Sequence, residues 1–490
     1  MIKRYKYVAL LLLSMSFTAC DNSVLDLKPE SILTEANFYD KANYINGAVL
    51  GVYNRYQTRK QRDWTIMEMP SDNVHRTGYF LIGGLDEMNT LAFASQNPLF
   101  SSFWIETYNG IFRANAVLAN IDRPTDYAAG QKEQLTGEAK FMRALFYFDL
   151  VRMFGGVPKI TSILNVVESK TVGRSSQEEI YALVVEDLKA AIDLLPAKGK
   201  IASGRANKAA AVALLGKVYV YQKDWNNAKT YLDMMPSFGY ELQSDYASLW
   251  KEATEDNNEI VFAMKYTAGT NGSTISTDFL PYSGVAGISA NGTENVFPSW
   301  SMMKLFLPED SRKKSTFTEY WKSPKSPEDA PETWYPYISK YAVPHTPNTS
   351  GLDIPVIRYA DVLLLRAEVL YALNKPEEAL AELNKVRSRA FKGNAFNYSM
   401  ADIATSTTFM DKLLLERQLE FVMENERWFD LVRTDRYMSV LTNVEWGYNP
   451  VTKEPHKMTL APKAFHKHFP IPNNQIELSK PGVLAQNEGY

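Results

Sequence analysis

Cysteine is almost absent from this chain: Cys20 is the one thiol in 490 residues. A single thiol cannot form an internal disulfide, so the fold has to hold without cross-links. Histidine is scarce as well, with five residues, and His466 and His468 are the one close pair. A metal site needs three or four converging ligands. No third ligand accompanies that pair, so it reads as structural and no metal is expected. The formal net charge of −3 offers no basic surface for nucleic acid. A serine-nucleophile motif of the G-x-S-x-G kind is missing, since Gly284 and Gly287 enclose Val285-Ala286 without the serine. A glycosidase needs two carboxylates facing each other across a cleft, but 56 acidic residues make any nominated pair uninformative. Nothing here argues for an enzyme, and no cofactor is implied. Beyond the N-terminus no apolar run approaches the roughly 20 residues that span a bilayer.

The N-terminus itself is informative. Lys3, Arg4 and Lys6 precede the apolar run Val8 to Leu13, the layout of a secretory signal peptide. The segment ends in Phe17-Thr18-Ala19-Cys20. That resembles a bacterial lipobox, with Phe17 in place of the usual aliphatic residue. Residues 1–19 are therefore expected to be cleaved, and Cys20 to become a lipidated N-terminus. An exposed leftover thiol would be a liability in an exported protein, and attachment of lipid explains both its presence and its solitude. More than one acyl chain on that residue makes a sufficient anchor. Residues 20–34 then read as a lipidated tether.

Helical periodicity governs most of the chain beyond that tether. It predicts helices from about Asn37 to Gln57, over Phe103–Ile121 and Gln131–Met153, and over Ser176–Leu195 and Lys208–Gln222. Asn226–Met234 comes after a tight turn, and the pattern returns over Tyr359–Leu373, Pro376–Arg389 and Thr408–Arg433. Residues 240–350 lose the period and are rich in Gly, Pro, Ser, Thr, Asn and aromatics. Residues 441–490 are irregular and proline-rich. The expected organisation is one domain over 35–490: a helical frame at about 35–239 and 351–440, an irregular insertion at about 240–350, and the terminal segment.

Two stretches of the frame repeat each other. Leu214-Leu215-Gly216-Lys217-Val218-Tyr219 leads through Lys223-Asp224 into Trp225-Asn226-Asn227-Ala228. Leu364-Leu365-Arg366-Ala367-Glu368-Val369-Leu370-Tyr371 leads through Asn374-Lys375 into Pro376-Glu377-Glu378-Ala379. Both read as helix–turn–helix units of the tetratricopeptide type, in which small residues let paired helices approach. A tandem array would place them about 34 residues apart, so at about 150 the stack is interrupted.

Several blocks resemble one family. They are Asn109-Gly110-Ile111-Phe112-Arg113-Ala114-Asn115, Gly137 to Val151 with Phe154-Gly155-Gly156-Val157-Pro158, and Gly204-Arg205-Ala206-Asn207-Lys208-Ala209-Ala210. Arg358-Tyr359-Ala360-Asp361-Val362, Glu416-Arg417, Glu426-Arg427-Trp428-Phe429-Asp430-Leu431, Phe469-Pro470-Ile471-Pro472 and Gln486-Asn487-Glu488-Gly489-Tyr490 continue the series. In this order they resemble the SusD/RagB family of Bacteroidetes outer-membrane lipoproteins, with Glu488 where the family usually has proline. The resemblance implies a predominantly α fold with four interrupted tetratricopeptide-like hairpins and a loop-rich face. It also implies a SusC-like TonB-dependent outer-membrane barrel as partner, with the lipoprotein as a lid on the cell surface, and an oligosaccharide as the usual cargo.

Aromatic residues make up 12 % of the chain, including 9 Trp, and a ring face can pack on the C–H face of a sugar while polar groups meet its hydroxyls. Trp104, Trp225, Trp250 and Trp428 lie in helical patterns and are expected in the core. Trp64, Trp300, Trp321, Trp334 and Trp446 lie in irregular sequence. Ser71-Asp72-Asn73-Val74-His75-Arg76-Thr77-Gly78-Tyr79 sets carboxylate, amide, imidazole and guanidinium beside a ring. The expected ligand contacts are Asp72, Asn73, His75, Arg76, Tyr79, Trp300, Trp321 and Trp334. The expected function is capture of a glycan and its delivery, unchanged, to the barrel. Two other readings fit the sequence: a family member serving peptides or another non-sugar nutrient, and a helical-repeat scaffold for a protein partner.

Overall fold

Side chains that cap helices set the frame. In the computed structural model, which describes residues 37–76, 82–269, 271–346 and 349–490, Asn97 accepts from the Leu99 amide and Pro98 occupies the first helical position. Both satisfy or remove orphan donors, so the helix over Pro98–Asn120 starts five residues before the apolar pattern does. Ser176 and Glu179 form a reciprocal capping box at the start of Gln177–Leu194. Gly155, at φ 71°, ends Gln131–Phe154. The frame comprises α1 (Ala42–Lys60), α2 (Pro98–Asn120), α3 (Gln131–Phe154), α4 (Gln177–Leu194), α5 (Lys208–Tyr221) and α6 (Trp225–Leu232). It is completed by α7 (Tyr359–Ala372), α8 (Pro376–Ala390), α9 (Ser406–Phe421) and α10 (Arg427–Arg433). The signal-peptide and tether residues lie outside the described part.

Consecutive helices pack side by side: α1 with α2, α3 with α4, α5 with α6, and α7 with α8. Small residues make the approaches possible. A Cβ on Gly216 would lie 2.6 Å from the Leu232 side chain, and one on Gly110 would sit 2.2 Å from the Phe146 ring. Ala228, Ala367 and Ala379 are fully buried. The two repeat units share their turn geometry. Lys223 and Asn374 both adopt positive φ, 57° and 59°. The next amide bonds five residues back in each, Asp224 N to Tyr219 O at 3.0 Å and Lys375 N to Leu370 O at 2.9 Å.

The strands are short. Among the described residues four antiparallel pairs form: β1 (Val74–Arg76) with β3 (Val296–Pro298), β2 (Ile260–Met264) with β6 (Ile354–Arg358), β4 (Phe317–Trp321) with β5 (Thr333–Ile338), and β7 (Val444–Asn449) with β8 (Glu454–Met458). One apolar core runs from the frame into the segments that carry these strands. The fold is predominantly helical, with small two-stranded sheets attached.

One expected helix is two. Thr408–Arg433 reads as continuous in sequence, yet α9 stops at Phe421 and α10 starts at Arg427. Met423 and Asn425 between them take positive φ, 62° and 70°. Buried side chains replace the missing helical bonds. Glu68 accepts from the Met423 and Asn425 amides, each at 3.0 Å, Lys340 donates to the Val422 carbonyl at 2.8 Å, and Tyr341 donates to that of Met423 at 2.9 Å. Local periodicity cannot register partners 80 to 350 residues away.

Charged residues of the blocks that resemble the family take part in a buried ionic lattice. Arg358 reaches Glu259, Glu420 and Glu424 at 2.5, 2.8 and 2.7 Å. Arg417 bridges Asp361 and Asp430 at 2.8 and 2.7 Å, and Arg205 pairs with Glu138 at 2.8 Å. Burial works against charge on Asp361 and Glu420, but the surrounding cations outweigh it and hold both carboxyls far below their ordinary range.

Candidate functional site

β1 is three residues long and has one register, Val74 opposite Pro298, His75 opposite Phe297 and Arg76 opposite Val296. The chain entering it is fixed by charge. Arg427 donates to both Asp72 oxygens, at 2.7 and 2.9 Å, and Gln418 donates to Asp72 at 3.1 Å and to Asn73 at 2.9 Å. Asn73 in turn donates to Glu68 at 2.7 Å. Burial would raise the Asp72 carboxyl, but the Arg427 guanidinium prevails and holds it below its usual value.

These contacts correct the sequence expectation for three residues. Asp72, Asn73 and Arg76 are all buried. Asp72 and Asn73 bond inward to α9 and α10, and Arg76 pairs with Asp86. Asp72 and Asn73 thus direct their polar groups into the frame, whereas Arg76 pairs with an exposed carboxylate. Tyr79 lies outside the described residues. Trp64 is also corrected: it sits in the one-turn helix Trp64–Met67, 2 % exposed, with its ring edge-on to Phe279 at 5.4 Å. Trp104, Trp250 and Trp428 are buried and Trp225 is half-buried against the core.

The backbone of the same segment positions a ring. The Asn73 carbonyl accepts from the Ser299 amide at 2.8 Å and the Asp72 carbonyl from the Ser299 hydroxyl. That hydroxyl accepts from the Met302 amide at 3.0 Å, capping the turn Trp300–Met303. Trp300 is thereby held at the first position of the turn. Its ring stacks on Tyr448 of β7 with centroids 4.4 Å apart and planes 17° from parallel. Trp334 of β5 stands across both, 6.4 Å from Trp300 and 6.1 Å from Tyr448, at steep angles. The Glu445 amide donates to Ser301 Oγ at 2.8 Å, tying β7 to the turn.

A second row of rings is joined to the first through neighbouring positions on two strands, Tyr335 next to Trp334 on β5 and Trp446 near Tyr448 on β7. Trp446, two residues before Tyr448, stacks on His75 at 5.5 Å and 9°. His75 meets Phe297 at 5.7 Å, Phe297 meets Tyr335 at 5.0 Å, and Tyr335 meets Trp321 at 5.1 Å. Trp321 donates its indole N–H to the Gly284 carbonyl at 3.1 Å, and the Tyr335 hydroxyl donates to Glu294 at 2.6 Å. Burial beneath Trp446 pushes the His75 imidazole down to about 4, against the small opposing effect of the Arg76 carbonyl. His75 is therefore a neutral, flat member of the row at ordinary pH.

Trp300 and Trp334 thus belong to the first row and His75 and Trp321 to the second, and the four come from four separate segments. All of these rings are half-buried: they brace one another and keep part of their surface in water. Tyr320, the cross-strand partner of Trp334, is 52 % exposed at the margin. Sequence reasoning missed Phe297, Tyr335 and Tyr448. Tyr448 lies two residues after Trp446 in a segment read as irregular, and a register irregularity between Glu445 and Gly447 sends the two rings to different partners. Among the described residues no cluster of His, Cys, Asp or Glu could hold a metal ion, and no helix is long and apolar enough to cross a membrane.

Comparison with known proteins agrees with the architecture. Residues 307–490 match the SusD family, and residues 24–220 match a family described as starch-binding associating with outer membrane. SusD-like protein P2 of Formosa agariphila is 24 % identical over 488 residues, covering 93 % of this chain and 94 % of that protein. A SusD-like protein from Bacteroides fragilis superposes with a TM-score of 0.79 at 21 % identity, over 93 % of this chain and 99 % of the other. The surface glycan-binding protein A of Bacteroides thetaiotaomicron, solved with laminarihexaose, gives 0.75 at 22 % identity, over 91 % and 99 %. Two matches that together span most of the sequence, and a shared fold over nine-tenths of it, agree with the residue blocks: the chain belongs to the SusD/RagB family of outer-membrane-associated proteins.

Proposed function

We propose that this protein captures a glycan on the cell surface with the paired rows of rings and passes it, chemically unchanged, to a SusC-like TonB-dependent barrel. The observation that carries the reading is the meeting of Trp300, Trp334 and Tyr448, from three elements, within 6.4 Å of one another and all partly open to water. Such rings offer flat apolar surface to the C–H faces of pyranoses. His75, Trp446, Tyr335 and Trp321 extend that surface, while Asp72, Asn73 and Arg76 hold it in place. Laminarihexaose in the related Bacteroides protein makes a glucan the first ligand to try. The pairs α1/α2, α3/α4, α5/α6 and α7/α8 serve as four tetratricopeptide-like hairpins that form the rigid back of the platform. Residues 1–19 are the signal peptide, and lipid on Cys20 keeps the protein at the outer membrane beside the barrel.

Titration calorimetry with laminarihexaose and with soluble starch tests the site. Trp300→Ala and Trp334→Ala should each weaken binding at least tenfold, about 1.4 kcal/mol, while leaving the melting temperature of the free protein within about 2 °C. Unchanged affinity in both variants would remove the platform from the mechanism. Cys20→Ala in cells should shift the protein from the membrane to the soluble fraction and abolish its copurification with a barrel.

A further inference from the structure

Two rings stacked face to face hide those faces from any ligand. Trp300 and Tyr448 lie 4.4 Å apart and 17° from parallel, and Trp334 stands across both. A sugar ring between them needs carbon contacts of about 3.5–4.0 Å on each side. The aromatic planes must then stand roughly 7–8 Å apart, so one of the pair has to move by about 3 Å. The two are held very differently. Trp300 belongs to the body of the fold: the Ser299 amide and hydroxyl donate to the Asn73 and Asp72 carbonyls, and Met302 and Met303 of its turn are buried. Tyr448 belongs to the β7–β8 hairpin, whose two strands pair with each other and with no third strand among the described residues. Among those residues no hydrogen bond between main-chain groups joins residues 445–458 to the chain outside the hairpin.

The fixed points of the hairpin are at its base. Val444 and Leu460 are buried, the Glu445 amide donates to Ser301 Oγ at 2.8 Å, and the Glu445 carboxylate pairs with Lys304. The register irregularity between Glu445 and Gly447 falls just above them, and such a break in a ladder lets a strand bend. Beyond it the hairpin meets the body through ring packing, Trp446 on His75 and Tyr448 on Trp300 and Trp334. Residues 450–454 at the tip are exposed. Segments with few buried contacts and no ladder to the body open at low cost. Tyr448 is three residues beyond Glu445, about 10 Å of strand, so a tilt of roughly 20° at the base supplies the movement.

We propose that the hairpin is a jaw: it tilts away from Trp300 to admit one pyranose between Trp300 and Tyr448, and so selects β-linked sugars of gluco or xylo configuration. The proposal rests on the glycan reading above and adds the class of sugar to it. In a β-linked glucose or xylose every oxygen substituent on the ring is equatorial, and axial hydrogens line both faces. Galactose has an axial 4-hydroxyl, mannose an axial 2-hydroxyl, and an α-linked glucose an axial bridging oxygen. Between two aromatic rings that oxygen is pressed on a ring face and loses its water without gaining a partner. A platform that touches one face leaves such an oxygen on the open side. Contact on both faces is therefore what separates these sugars.

Titration calorimetry with six hexaoses and a crystal structure of the complex test the jaw. At least one of cellohexaose, laminarihexaose and xylohexaose should bind about tenfold or more tightly than maltohexaose and the β-1,4-linked hexaoses of mannose and galactose. In the crystal a sugar ring should lie between Trp300 and Tyr448, with the aromatic planes roughly 7–8 Å apart. Tyr448→Ala should weaken the favoured sugar and cut its advantage to about threefold or less, whereas Trp300→Ala should weaken every sugar that binds. Binding of any of the last three hexaoses as tight as the best of the first three would keep the platform and overturn the jaw. So would a sugar resting on the outer faces with the stack intact, or an unchanged preference in Tyr448→Ala. No binding of any of the six would overturn the glycan reading and the jaw together.

Discussion

A carboxylate taken out of water costs several kcal/mol unless a cation and hydrogen bonds replace the solvent. Asp72 has that replacement in Arg427 and Gln418, and three positions later His75 is left neutral under Trp446. The segment thus alternates residues that anchor with a residue that faces the rings. Asp72→Asn would leave the buried Arg427 guanidinium without its counter-charge, and such a loss costs about 3–5 kcal/mol. Denaturant titration should show that deficit, whereas Trp300→Ala, which gives up its stack on Tyr448, should lose less, about 0.5–1.5 kcal/mol. The pair of variants separates a residue that positions the platform from one that makes contact, because the first lowers stability and the second lowers affinity.

At the level of elements, the frame depends on how closely its helices approach. Gly110 faces the Phe146 ring of α3 so tightly that a methyl group there would overlap it. Gly110→Ala gains helix propensity, about 1 kcal/mol. It also forces the ring or the helix to move, at about 1–3 kcal/mol. We expect a net loss and a lower denaturation midpoint, and a Gly110→Ala protein at least as stable as the parent would show that the contact yields freely. The break between α9 and α10 belongs to this scale too. Glu68 serves as the surrogate helical acceptor for two amides, which lets Arg417 and Arg427 point to different parts of the ionic lattice.

For the molecule as a whole, the buried imidazoles set a pH dependence. Burial pushes His75, His466 and His468 down to about 4 each, with Lys463 adding to the effect on His466 and Lys467 and Arg174 on His468. In the unfolded chain a histidine takes up its proton near 6.5. Between those values the unfolded state holds more protons at these three groups, so their contribution to folding stability falls as pH drops from 6.5 towards 4. Glu68, Glu255 and Asp278, raised chiefly by burial to about 7, 7 and 6, act in the opposite sense, so the histidine part is read as a difference: His75→Phe, which keeps a flat ring under Trp446, should gain melting temperature relative to the parent as pH drops from 6.5 towards 4. An identical slope in the variant would show that His75 takes no part.

The sequence by itself determined the helical frame, because 3.6-residue periodicity and capping residues are local and strong. It also determined the family, because the matching blocks are the ones whose Arg, Asp and Glu meet inside the fold: Arg358, Asp361, Arg417 and Asp430 have no other reason to be buried. For the same reason those blocks say little about what is bound. Only the tertiary structure decided which of the loop residues converge. Trp300 meets Trp334, and His75 is linked to Trp321 through Phe297 and Tyr335, by strand pairings and turns that join segments far apart in the chain. Asp72 and Asn73 turn inward because their partners, Arg427 and Gln418, lie where no local pattern points.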